Sequence, residues 1–164
     1  MNVGIGQGNV LVTPLQLAVM ASTLATQGVR YQPRLVKSIG GKPTESKVLG
    51  KLKVKDEHWK HVINAMVEVV HSNRGTAKRI QNDISYRMAG KTGTGQVVSI
   101  AQGEKYDSNA LKDVHRDHAL FIGFAPVDAP KIAVGIIVEN AEHGSSAAAP
   151  IARKLFDTNL ESYQ

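Results

Sequence analysis

Ala89-Gly90-Lys91-Thr92-Gly93-Thr94-Gly95-Gln96 is the stretch on which the reading of the whole chain turns. Its Gly90-Lys91-Thr92 core invites comparison with a phosphate-cradling loop. That loop needs a second glycine five positions before Gly90, where Ser85 stands, and it should open a helix. Gln96-Val97-Val98 reads instead as continuing strand. Gly4-Ile5-Gly6-Gln7-Gly8 fails the dinucleotide fingerprint in the same way, with Asn9 in place of the third glycine. Lys-Thr-Gly carried on a strand suits other chemistry. On such a strand Gly93 admits close approach of another backbone, and Lys91, Thr92 and Thr94 can hold a carboxylate in a cleft. Three residues alone would equally fit an exposed turn, so the surroundings decide.

Toward the N-terminus, Met1 to Val12 reads as a loop or short irregular strand. Thr13 then offers an N-cap, Pro14 the first helical position, and Gln16 the partner of a capping box. Leu17, Met20, Ala21, Leu24 and Ala25 recur at helical spacing until Gly28 stops the run. Arg30 to Lys55 is rich in Gly, Lys and Pro, with weak strands at Arg34–Ile39 and Lys47–Val54 and a hairpin turn at Gly40-Gly41. Asp56 caps a second predicted helix whose stripe is Trp59, Val62, Ile63, Met66, Val67 and Val70, ending near Ser72. A turn over Thr76–Ile80 leads to a strand from Tyr86 that runs into the tetrad.

Toward the C-terminus, Ser99–Asp117 is too charged for core and too long for a turn. His118–Phe124 and Lys131–Glu139 read as an antiparallel hairpin, and Ala147–Leu160 as a helix with Ile151, Leu155 and Phe156 inward. The order is helices, three strands, one helix. That order predicts an α+β fold, an antiparallel sheet with flanking helices, rather than a doubly wound sheet.

Composition narrows the function. The 164 residues carry 20 Lys and Arg against 14 Asp and Glu, a net charge of +6, and 42% are hydrophobic, which excludes a disordered chain. There is no cysteine, hence no disulfide framework or thiolate metal site. No run is long and apolar enough for a membrane span. His58 with His61, and the Asp113, His115, Asp117, His118 group, could ligate a metal, but hydrated surface is the simpler reading of both. Lys51, Lys53 and Lys55 lack the interleaved aromatics of a nucleic-acid surface. Glu139-Asn140 reads as a turn or cap, Trp59 and Met66 as core. The expectation is no cofactor, no metal and no nucleic-acid partner.

The surroundings of the tetrad resemble those of class B penicillin-binding proteins, in which Lys-Thr-Gly is one of three defining motifs. The matching segments are Gly6-Gln7-Gly8 with Thr13-Pro14-Leu15-Gln16-Leu17-Ala18, then Arg74-Gly75-Thr76-Ala77, then the tetrad. His118 through Pro126, and Val138-Glu139-Asn140 with Ala148-Ala149-Pro150-Ile151-Ala152, complete the series in the family's order. The charged loop after the tetrad resembles the elongation-specific (rod-shape) branch; Gly95, where alanine is usual, is the one departure. The resemblance implies a serine β-lactamase/transpeptidase-like fold and a peptidoglycan D,D-transpeptidase that cross-links stem peptides and binds penicillin. It assigns Lys91 and Thr94 to catalysis, through a proton relay and an oxyanion-hole N–H, and Lys91, Thr92, Gly93 and Thr94 to substrate. Gly144 and Ser145 would shape the rim.

No serine here has lysine three positions later or asparagine two positions later, so the nucleophile motif Ser-x-x-Lys and the motif Ser-x-Asn are both absent. The expectation is that residues 1–164 form the C-terminal portion of a single transpeptidase domain. Its parts would be helical over about 13–80, Lys-Thr-Gly strand and hairpin over about 86–140, and a last helix over about 147–160. Alone it should be inactive. The other reading is a non-catalytic protein- or peptidoglycan-binding module. The resemblance further implies stem peptide and β-lactams as ligands of the complete domain and elongation-machinery proteins as partners. It also implies a membrane-anchored parent at the periplasmic face of the bacterial inner membrane. The Lys131–Glu139 strand would lie at a sheet edge open to a second copy.

Overall fold

A computed structural model describes residues 10–98 and 111–161. Gly4, Gly6 and Gly8, and most of the predicted 99–117 loop, lie outside them. The first helix, α1 (Pro14–Ala25), begins as its residues dictate. The Gln16 N–H donates to Thr13 Oγ1 at 3.2 Å, and the Thr13 N–H donates to Gln16 Oε1 at 2.8 Å. It ends where Gly28, at φ +101°, donates its N–H to Thr23 O.

The central sheet is antiparallel, in the order β5 (Ala89–Gly95), β6 (His118–Ala125), β7 (Ile132–Val138). Lys91 pairs with Ile122, Thr94 with Ala119, and Leu120 with Ile137. Helices cover both faces. Alternation along β6 sends Phe121 to a cluster with Val70, Met88, Ala152 and Phe156, and Phe124 to another with Met66, Val67 and Ala89. The helix α2 (Asp56–His71) packs on β5, and α3 (Ala148–Glu161) on β6 and β7. α1 crosses β7 at Gly135, where a Cβ would come within 2.6 Å of Ala18 N; no larger residue permits that approach. The α+β architecture with flanking helices is as expected from the sequence.

Four element readings need correction. The tetrad strand starts at Ala89, not Tyr86. Residues 86–88 spend their groups elsewhere: the Tyr86 hydroxyl donates to Asp157 Oδ1 (2.6 Å), the Arg87 carbonyl accepts from Val127 N–H (2.9 Å), and the Met88 N–H donates to His71 Nε2 (3.1 Å). The strand also stops at Gly95, because the Val97 N–H points to Asp117 Oδ1 rather than to a strand partner. Asp56 is the first residue of α2 and Lys55 its N-cap, without a side-chain bond. On α3 the inner face is Ala148, Ala149, Ala152 and Phe156, while Ile151 and Leu155 are exposed.

Residues 30–55 also differ from expectation. β1 (Val29–Tyr31) pairs with β4 (Val48–Lys51), and β2 (Ser38–Ile39) pairs with β3 (Lys42–Pro43) around Gly40-Gly41. The turn stands where the two glycines put it, but the hairpin stays short. Thr44 closes it by donating its N–H to Lys37 O (2.9 Å) and its hydroxyl to Val36 O (2.6 Å). A clamp ties α3 to the segment before β5. Arg153 Nε donates to both Asp157 oxygens at 2.8 Å, and its Nη atoms donate to the carbonyls of Ile80, Asn82 and Asp83. Burial first, then the bond to Asp157 and its charge, push the Tyr86 phenol well above its ordinary pKa. Among the described residues, no helix is long and apolar enough to cross a membrane.

Candidate active site

Lys91, Thr92, Gly93 and Thr94 lie in mid-strand on β5, which has β6 on one side and, among the described residues, no strand on the other. With Thr76, His143, Gly144 and Ser145 they line a cavity of about 370 Å³. Three parts of the chain therefore converge: the turn after α2, the β5 strand, and the connection from β7 to α3. The lining holds one ammonium, four hydroxyls and no carboxylate. Lys91 Nζ donates to Thr92 O at 2.7 Å. An ammonium has three donors, so bonding capacity remains for an incoming anion. Thr76 Oγ1 and Thr92 Oγ1 stand 3.2 Å apart in a shared hydrogen bond. Thr94 Oγ1 reaches Glu142 O at 3.5 Å.

The wall opposite Thr76 depends on an absent side chain. A Cβ on Gly144 would overlap the Leu120 carbonyl and come within 2.9 Å of Gly93 O. The 143–145 segment therefore sits directly on the backbone of the sheet, over Leu120 on β6 and Gly93 on β5. The arrangement fits a compact anion whose chain runs along β5.

Behind the strand, His71 at the end of α2 accepts from the Met88 N–H just before β5 begins. Burial, then the positive charge of Arg87, hold its pKa below the ordinary histidine value. A proton on Nε2 would forfeit the bond to Met88.

Most of the histidines and acids considered for metal binding have other partners. His61 Nδ1 lies 2.6 Å from Glu57 O, and His58 pairs with Glu57 at 3.9 Å. Asp113 pairs with Arg116 at 3.1 Å, and His118 Nδ1 accepts the Asn140 N–H at 3.0 Å. Asn140, at φ +57°, also donates its side chain to the carbonyls of Val114 and Arg116, so it pins the turn after β7. Among the described residues no group of three or more His, Asp or Glu is placed to hold a metal. Trp59 and Met66 are buried. Sequence reasoning singled out the tetrad and the Gly144-Ser145 rim, but gave neither Thr76 nor His143 a place at the site. Thr76 had one signal, the Gly75-Thr76 pair that closes the turn after α2; His143 had none.

Comparison with known proteins gives consistent matches. Residues 1–157 match the family described as penicillin binding protein transpeptidase domain. The chain is 43% identical over 161 residues to the peptidoglycan D,D-transpeptidase MrdA of Acinetobacter baumannii, covering 95% of this chain and 23% of that protein. Among solved structures, PBP2 of Pseudomonas aeruginosa in complex with WCK 5153 aligns at TM-score 0.77 and 40% identity, over 94% of this chain and 31% of that one. PBP2 of Helicobacter pylori in complex with MreC aligns at TM-score 0.74 and 27% identity, over 99% and 27%. The chain spans about a quarter of the length of the curated relatives it matches.

Proposed function

The chain belongs to the penicillin-binding protein transpeptidase domain family and corresponds to the C-terminal portion of that domain in the rod-shape MrdA type; on that premise we propose that it supplies the carboxylate-gripping wall of a peptidoglycan D,D-transpeptidase. The observation that carries the reading is the convergence of Lys91–Thr94 with Thr76 and His143–Ser145 around one carboxylate-free cavity. Thr92 and Thr94 bind the terminal carboxylate of the donor stem peptide or of a penicillin. Lys91 supplies positive potential and a contact in the proton relay. The Thr94 N–H donates to the oxyanion as negative charge develops on the attacked carbonyl.

A serine from outside these residues attacks the penultimate D-alanine carbonyl and expels the terminal D-alanine. The acyl group then passes to an amine of a neighbouring strand. The step asks for no cofactor. The 164 residues alone contain no such serine in a Ser-x-x-Lys setting, so by themselves they are inert toward penicillin. Elongation-machinery proteins are the proposed partners of the complete protein, MreC being the one bound by the H. pylori relative. Its proposed place is the periplasmic face of the inner membrane.

The test is a chimera in which residues 1–164 replace the matching quarter of A. baumannii MrdA. Fluorescent penicillin should label the chimera covalently. Lys91→Ala should slow labelling about 10²-fold or more, and the 164-residue chain alone should stay unlabelled. Equal labelling of the Lys91→Ala chimera would remove the proposed role.

A further inference from the structure

The charge of this chain is not spread evenly. Between Arg30 and Lys55 stand eight Lys and Arg and one acid, Glu45, a net of +7. The remaining 138 residues carry 12 basic and 13 acidic side chains, a net of −1. The entire positive excess thus lies on one arm of 26 residues. Every residue of that arm is exposed except Thr44, which is intermediate.

Aliphatic side chains are exposed among the cations: Leu35 fully, Ile39 at 70% and Val48 at 54%. A groove of about 700 Å³ runs between 32–36 and 44–48. The arm is two short ribbons. β4 pairs only with β1 among the described residues, leaving its other edge open. Two-stranded ribbons are marginal alone and gain from an added strand.

From these features we propose that residues 30–55 are a docking surface for an extended segment of a partner protein that carries carboxylates and aliphatic side chains. Exposed aliphatics on this scale mark an interface, and the charge selects an acidic partner. A second copy of the arm is excluded as occupant, since +7 would meet +7. A bilayer surface cannot enter the groove, and the arm has no amphipathic helix to lie in a headgroup layer. The site is remote in chemistry from the Lys91 cavity and does not depend on the transpeptidase reading.

The test uses the 164-residue chain and three labelled dodecapeptides, alternating Glu with Val, Glu with Ser, and Lys with Val, titrated by fluorescence anisotropy; vesicles containing phosphatidylglycerol form a fourth arm. The Glu-Val peptide should bind saturably and weaken as salt rises. Lys37→Glu with Lys42→Glu and Lys47→Glu should weaken it about tenfold or more, and Leu35→Ser with Ile39→Ser by a similar factor. These positions are exposed, and unchanged circular dichroism checks that each variant is folded. Absence of saturable Glu-Val binding to the folded wild type overturns the proposal. So does equal binding of the Glu-Ser peptide, undiminished binding by the Lys→Glu variant, or a preference for the vesicles.

Discussion

At the scale of single residues, the tetrad was legible because its chemistry is local. A cation, two hydroxyls and a glycine on one strand can be read without knowing what lies across from them. Thr76 and His143 were not legible, because only the fold carries the turn after α2 and the β7–α3 connection to β5. His71 illustrates the same limit. Nothing in its neighbourhood in the sequence announces that its ring will accept the Met88 N–H at 3.1 Å. Its lowered pKa has a consequence with a definite sign. The unfolded chain takes up a proton near the ordinary value of about 6.5, while the folded ring resists it. The stabilisation is therefore complete above pH 6.5 and is lost as pH falls through the folded pKa. His71→Asn keeps an acceptor and removes the titration. Urea melts at pH 7.5 and pH 5 should show a larger loss for wild type than for His71→Asn; equal losses would mean that the ring does not guard the start of β5.

At the scale of elements, legibility followed how much of each element's register is set by its own residues. α1 starts and ends on its Thr13–Gln16 box and Gly28, all readable from the sequence. The β6–β7 hairpin follows from two apolar runs and a short connection. The ends of β5 did not follow, because partners far along the chain, His71 and Asp117, capture the flanking N–H groups. β1 escaped notice since its three residues, two of them exposed, carry no alternation. α3 shows the cost of reading a stripe by residue size: the small Ala148, Ala149 and Ala152 let the helix lie close to the sheet, and Phe156 alone among the large apolar residues is fully buried. Phe156→Ala should accordingly cost about 3–5 kcal/mol. Leu155→Ala and Ile151→Ala, at exposed positions, should stay near 0.5 kcal/mol each. Denaturant unfolding of the three variants decides between the two faces. A large loss at Leu155 with little at Phe156 would require a different docking of the helix.

At the scale of the molecule, the three strands form an open sheet. β5 holds one edge, and its Lys91–Thr94 residues line the cavity. β7 has the other edge, and α1 covers its face at Gly135 rather than its row of main-chain groups. Among the described residues no strand pairs there. An apolar edge of seven residues, Ile132–Val138, without a charge or proline along it, lacks the features that discourage pairing with another chain. For the 164-residue chain alone, the expected occupant is the β7 edge of a second copy, since an antiparallel pair across a two-fold axis satisfies both edges at once. Multi-angle light scattering over a hundredfold concentration range should show mass rising toward a dimer. Ile137→Lys, which places a charge on that exposed part of the strand, should hold the chain monomeric while leaving its circular dichroism unchanged. A constant monomer mass for the wild-type chain at high concentration would show that the edge is protected within one chain, and the pairing would then have no role.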